Sequence, residues 1–424
     1  MRETQSRSQT AQPPIRLASR ARIIVISQFF GPDQSAVGQF LSDFANGAAA
    51  AGHDVRVICG TTDYASTEDA APALTQRYIS VTPPERSTGS GTIRVDKVRT
   101  AIFSQSKAKK LLSYSTFHAG ALWRALWIPK PDVVLTLTAP PGLAWIGWLV
   151  QRVRGCHHVA WEMDVYPDVA IALDIPVAAW TSRMLDFPRR QANTVIALGP
   201  CMRTRLLQHR IAEDRIVVAE NWADGQSIMP LPFPEQRPLR ILYSGNLGLV
   251  HEMATIRAVM ERLANSPDFL FIFAGGGMAR RELIDFCRER GLGNVSFPGY
   301  ALLQDLGASL AEGHVGLITQ KQSTVGAVVP SKIYGLMAAG RPVLFIGPAA
   351  ATPALLIQRF DCGWHFDCGD EDGVRSLLMR LLEHPEEIRE KGRKGRAAFI
   401  ESYDKPAGVA RVLQALGLET RNAG

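Results

Sequence analysis

Short apolar runs, each followed by a glycine- or proline-bearing turn and a helix-period stretch, recur through both halves of the 424-residue chain. RIIVIS at Arg22–Ser27 leads through the loop Gln28–Gln39 into a helix ending near Ala51, and Gly52-His53 turns it into DVRVICG, Asp54–Gly60. Strand, helix and second strand in that order form a βαβ unit, the start of a parallel doubly wound sheet. The runs TIRVDKVRT, PDVVLTLT, HHVAWEMDV, TVIALGP and RIVVAEN continue it, with Thr61–Gly91 read as a long polar loop. Met229–Pro238 then places four prolines in ten residues, a linker. Beyond it LRILYSGN, FLFIFAGGG, NVSFPGY, HVGLITQ, VLFI and CGWHF repeat the alternation, and a helical tail runs from Glu371 to about Leu418. The expected fold class is α/β, with two Rossmann-like doubly wound parallel-sheet domains. The loop Gln28–Gln39 has Gly31 and Gly38 but no GxGxxG, which argues against a dehydrogenase.

Charge is unevenly spread. Residues 1–210 hold 24 Lys/Arg against 15 Asp/Glu, and residues 211–424 hold 23 against 25. A basic first half suits anionic lipid, a diphosphate-linked acceptor or nucleic acid, or is simply a soluble basic face. The six cysteines show no CxxC or metal-type spacing, as in a reduced cytosolic protein. Residues 1–20 lack an apolar core and read as a disordered lead, while Pro140-Pro141 and Gly142 break the longest apolar run, Val133–Val150. Ser104–Ile128 mixes Lys107, Lys109, Lys110 and Arg124 with Leu111, Leu112, Trp123 and Trp127. That pattern fits either a helix at a membrane interface or a core helix with a solvated basic face.

In parallel sheets, ligands collect at the carboxyl ends of strands. WEMDVYPD places Glu162, Asp164 and Asp168 at one such end, and a carboxylate there can orient or deprotonate a hydroxyl, although Asp168 is also placed to cap a helix. In TVGAVVPSKIYGLMAAGRPVLFIGP, Thr324–Pro348, a helix begins at Pro330-Ser331, stops at Gly340 and yields to the strand VLFI. Lys332 in its first turn opposes the helix dipole unless a phosphate stands before it. Ser244-Gly245-Asn246 with His251, Gly275–Gly277 and Pro298-Gly299-Tyr300 lie at neighbouring strand ends. Glycines let N–H groups approach an oxyanion, Lys332 and His251 would offset diphosphate charge, and Tyr300 would pack on a base.

In their order, RIIVISQFFGPD, AGHDVRVICG, WEMDVYPD, LYSGNLGLVHE, FIFAGGG and VPSKIYGLMAAGRPV make the chain, from about Arg22 to Tyr403, resemble the family 4 glycosyltransferases. It is most similar to the bacterial enzymes of colanic acid, O-antigen and exopolysaccharide assembly. The resemblance implies a GT-B fold with the two domains facing a cleft: an acceptor domain over 21–224, a linker over 225–238, a donor domain over 239–395, and a C-terminal helix in 396–424 crossing back. It implies a nucleotide-sugar donor, UDP-linked by preference, retention of configuration, and no cofactor or metal. The implied acceptor is a polyprenyl-diphosphate-linked or other saccharide; nucleic acid is not expected, and the location is cytoplasmic, peripheral to the inner face of the plasma membrane if the basic helix docks there. Carried over by position, Gly38 faces the donor diphosphate, Asp164 lies near the acceptor and reacting carbon, Asn246 and His251 fall where many relatives have a phosphate-binding Arg and a Lys, and Ser331 and Lys332 match a motif at the diphosphate. With Gly245, Asn246, Ser331 and Lys332, the expected donor-binding residues include Gly276, Tyr300 and Tyr334. Asp164, Lys332 and His251 are the expected catalytic groups.

The chain departs from the family at three places. Two glutamates common among relatives are replaced by Ala327 and Gly335, and a histidine before Asp164 is replaced by Met163. The missing glutamates leave open a non-catalytic scaffold subunit as an alternative to sugar transfer, and a nucleotide-sugar epimerase, which shares the fold, is a second.

Overall fold

The computed structural model describes residues 20–31, 36–61, 78–81, 91–101 and 107–418. The expected disordered lead lies outside them except for Arg20, as does most of the Thr61–Gly91 segment. Eight strands form the first sheet: β1 Arg22–Ile26, β2 Asp54–Gly60, β3 Tyr78–Val81, β4 Ile93–Val98, β5 Val133–Thr136, β6 His157–Trp161, β7 Thr194–Ala197 and β8 Ile216–Val218. They run β3-β4-β2-β1-β5-β6-β7-β8, all parallel except the edge pair β3–β4. The edge strand β3 falls within the stretch expected to be only loop. The second sheet orders β9 Leu239–Ser244, β10 Phe269–Ala274, β11 Val295–Ser296, β12 Val315–Thr319, β13 Val343–Ile346 and β14 Gly363–Phe366 as β11-β10-β9-β12-β13-β14. Its pairings are all parallel.

Central strands are buried along their full length, as β5, β7, β12 and β13 are, because helices cover both faces. That is why they read as unbroken apolar runs rather than as alternating ones. The helix Lys332–Ala338 buries Ile333, Tyr334, Leu336 and Met337 beneath the helix Pro385–Ser402. Each such side chain contributes about 1.5–3 kcal/mol of burial.

The tail breaks into helices at Glu371–Glu383, Pro385–Ser402 and Lys405–Ala415. Asp404 makes the last break: its carboxylate accepts from the backbone N–H of Lys405 at 2.8 Å and of Gly225 at 2.9 Å. The helix Lys405–Ala415 then packs on the first-domain helix Ala36–Ala50. The approach is close enough that a Cβ on Gly47 would lie 2.5 Å from Val409. The chain therefore crosses between the sheets twice, and the crossings meet at a backbone bridge between Ala223 and Asp404.

Candidate active site in the interdomain cleft

The carboxyl ends of the two sheets face each other across a cavity of about 370 Å3. The first sheet's side contributes Gln39, Phe40 and Asp43, the crossing segment Trp222 and Asp224, and the second sheet's side Gly245, Asn246, Ser331, Lys332 and Gly335. Lys332 lies in the first turn of the short helix after β12, and its Nζ sits 4.9 Å from the centre of the Tyr243 ring and 3.5 Å from the carbonyl of Asn246. No carboxylate among the described residues reaches it. Burial lowers its pKa from 10.5 to about 8. Two glycines make room for it. Gly245, at φ 120°, would place a Cβ 3.0 Å from Lys332 Cε, and Gly275, at φ 122°, would place one 2.3 Å from the carbonyl of Gly245. Both positions require the left-handed backbone as well as the space.

Three expected site residues are placed differently from the sequence reading. His251 is not a cation: burial, then the charge of Lys332, pushes its pKa down to about 3. Its Nδ1–H donates to the carbonyl of Thr319 at 2.8 Å and its Nε2 lies 2.9 Å from the Tyr243 hydroxyl. It is a neutral post that holds the tyrosine under Lys332. Tyr334 faces the core, fully buried with its ring 5.1 Å from that of Tyr403, because the helix Lys332–Ala338 turns that face inward. Gly38 lies in the first turn of the helix Ala36–Ala50 rather than in a loop, and its neighbour Gln39 lines the cavity. Residues 32–35 lie outside the described residues. Gly276 sits after β10 with the ring of Tyr300 close enough that a Cβ would meet it at 2.7 Å, and Tyr300 is 63% exposed.

The three carboxylates after β6 have separate fates. Glu162 is buried and paired with Arg189 through Nε–Oε1 and Nη2–Oε2, both 3.0 Å. Asp168 does not cap its helix; it takes His209 Nε2 at 3.0 Å and Arg205 Nε at 3.4 Å. Asp164 remains. Its backbone bridges Val328 of the second domain, while Val165 N–H donates to Ala327 at 2.8 Å and Arg205 donates to the Val325 carbonyl at 2.9 Å. The segment that ends in Lys332 therefore touches the first domain at Asp164. Burial, then the charge of Glu162, raises the Asp164 carboxyl from 3.8 to about 6.

His209 ties this region together, with Nδ1 2.9 Å from Asp186. Asp168 and then Asp186 raise it from 6.5 to about 9, worth about 3 kcal/mol. Because the folded pKa is the higher one, this stabilisation is complete below pH 6.5 and fades as pH rises through about 9. His209→Gln is expected to lower the thermal midpoint by several degrees at pH 6, with the difference closing toward pH 10. Equal loss at both pH values would contradict the assignment.

Residues 35–222 match the glycosyl transferase 4-like domain family. The chain is 24% identical over 370 residues to the putative colanic acid biosynthesis glycosyl transferase WcaI of Escherichia coli, covering 80% of this chain and 86% of the relative. It is also 24% identical over 269 residues to the probable glycosyltransferase WbjE of Pseudomonas aeruginosa, covering 60% and 67%. The chain is a glycosyltransferase, similar to those of family 4. Among solved structures it is similar to sucrose-phosphate synthase from Thermosynechococcus elongatus, with a TM-score of 0.71, 15% identity, and 93% and 98% of the two chains covered. It is also similar to HepE of Anabaena, solved with UDP and glucose, with a TM-score of 0.68, 14% identity, and 93% and 99% covered. The fold is GT-B.

In this glycosyltransferase, Gly335 faces the cavity with 3.7 Å of clearance to Leu310, whereas Ala327 is buried at the domain junction. The carboxylates that line the cavity come instead from Asp43 and Asp224. The sequence reading missed both. Asp43 is one helical turn beyond Gln39 on the same face, a signal that helix spacing carries. Asp224 fell at the edge of a stretch taken as linker. Burial raises the pKa of Asp43, with Trp222 Nε1–H donating to its carboxylate at 3.0 Å.

Proposed function

We propose that the cleft transfers a glycosyl group from a nucleotide-diphosphate donor, UDP-linked in the first instance, to a hydroxyl of a lipid-diphosphate-linked saccharide. The transfer retains configuration and serves cell-surface polysaccharide assembly. The observation that carries this reading is the Lys332 ammonium, set in the cleft without a carboxylate among the described residues and bordered by glycine-lined strand ends. HepE, of the same fold, was solved with UDP, and WcaI is named for colanic acid biosynthesis. The six cysteines, none of them in a disulfide, fit a reducing cytoplasm.

In the reaction, the bond from the sugar's anomeric carbon to the diphosphate oxygen breaks and the acceptor hydroxyl oxygen bonds to that carbon on the same face. The hydroxyl proton passes to the leaving diphosphate. Lys332 and loop N–H groups near Gly245 and Gly276 meet the charge gathering on the diphosphate, in a site already oriented for it. Asp164, at the junction of the two domains beside the segment that leads to Lys332, orients the acceptor or faces the developing positive charge on the sugar.

The test is a thermal-shift screen of the full chain with UDP, GDP and their sugars, followed by release of free nucleotide on adding acceptor. Ligand at 100 times its Kd stabilises by about 2.7 kcal/mol, so a rise in midpoint is expected with one nucleotide class. No shift with any nucleotide would sink the reading. Binding without turnover would identify a scaffold, and isomer formation without acceptor an epimerase.

A further inference from the structure

Three helices cover one face of the first sheet: Lys107–Trp127, Ala144–Arg154 and Trp180–Gln191. They are locked side by side, with Trp145 stacked on Phe187 at 5.2 Å and Arg154 donating to the carbonyl of Ile128 at 3.0 Å. Their outer surface is unusually apolar. Leu111, Leu112, Trp123, Trp127, Val153 and Trp180 are each 56–69% exposed. Leu112, Trp123 and Trp127 fall on one stripe of the first helix, at spacings of three turns and one turn. The charge on this surface has one sign. The three helices contain a single acidic residue, Asp186, which is buried and held by Arg189, Arg190 and His209. Lys109, Lys110, Arg152 and Arg183 are exposed.

We infer that this face docks on an anionic phospholipid bilayer. Tryptophans with apolar bodies and polar tips, set among cations, suit the headgroup level, where each Lys or Arg near an anionic surface strengthens binding roughly fivefold and buried apolar groups strengthen it further. A second copy of the chain is a poor occupant, since it would set cations against cations. Leu111 and Trp127 lie about 24 Å apart along the helix, so the contact is a strip rather than a point. Its Leu111 end follows the carboxyl end of β4, on the cleft side of the sheet. No helix among the described residues is long and apolar enough to cross a membrane, so the contact is lateral. The surface stands independently of the sugar-transfer reading; if both hold, a lipid-linked acceptor reaches the cleft along the bilayer plane.

Flotation of the full chain with vesicles of phosphatidylcholine alone, and of phosphatidylcholine with 30% phosphatidylglycerol (about one lipid in three, enough to set a negative surface potential), tests this. Wild type is expected to float with the anionic vesicles and to stay down with the neutral ones. Trp123→Ser/Trp127→Ser and, separately, Lys109→Glu/Arg152→Glu are each expected to lower partitioning by about tenfold or more, with unchanged thermal midpoints because these side chains are exposed. The inference is overturned if wild type fails to float, if both variants float like wild type, or if wild type is a dimer that the tryptophan variant makes monomeric. Nucleotide-induced thermal shifts on the same samples report separately on the sugar-transfer reading.

Discussion

Lys332→Ala is expected to lower turnover by on the order of 10²–10³ while leaving the chain folded and more resistant to heat. The two effects share one cause. The ammonium sits over the Tyr243 ring and near the carbonyl of Asn246, with no carboxylate among the described residues to offset its loss of water. Its pKa falls from 10.5 to about 8 as a result. A base whose folded pKa lies below its unfolded one is held charged at a cost. Between pH 8 and 10.5 the unfolded chain binds more protons, so this residue makes stability rise with pH across that window. At pH 7 the full cost is in place, and removing the ammonium relieves it. Under the proposed function a bound diphosphate would supply the missing countercharge, turning a stability defect into transition-state stabilisation. In the wild type, kcat/KM should therefore fall as pH rises through about 8. A Lys332→Ala variant with full turnover, or one that melts well below wild type at pH 7, would contradict this account.

Asp164→Asn is expected to cost on the order of 10²–10⁴ in rate and to remove the acid limb of the pH profile, which in wild type should lie near pH 6. Burial and the neighbouring Glu162 raise this carboxyl, so its folded pKa exceeds its unfolded one. Here the ionised form is the costly one: stability is highest below about pH 4 and declines as pH rises through 6. The asparagine variant should thus match wild-type stability at pH 4 and exceed it at pH 7.5. Glu162→Gln provides the contrast, because it breaks a buried ion pair with Arg189. Among the described residues Arg189 then keeps only Asp186, at 3.3 Å, as a charged partner; losing one partner of a buried pair costs up to about 3–5 kcal/mol. Unfolding curves and rate profiles on the two variants separate a carboxylate used in chemistry from one used in packing.

These assignments could be made only in part from the amino-acid sequence. The strands were legible because a parallel sheet covered on both faces writes itself as unbroken apolar runs, as in VLFI and FLFIFA. The strand Tyr78–Val81 was not, because an antiparallel edge strand among polar residues leaves no such run. Lys332 was legible because a cation in a first helical turn conflicts with the dipole. His251 and Tyr334 were not: whether a histidine is charged depends on burial and on Lys332, 81 residues away in sequence, and which face of a short helix is covered depends on the helix Pro385–Ser402 packed above it. The separate fates of Glu162, Asp164 and Asp168 likewise depend on Arg189, Arg205 and His209, all distant in sequence.

The two crossings that join Ala223 to Asp404 have a mechanical consequence. A door hung on two adjacent pins swings but does not slide, so the halves of this molecule have one easy motion, a rotation about that paired backbone. The contacts of Asp164 and Val165 with Val328 and Ala327 then act as a latch, which that rotation would release.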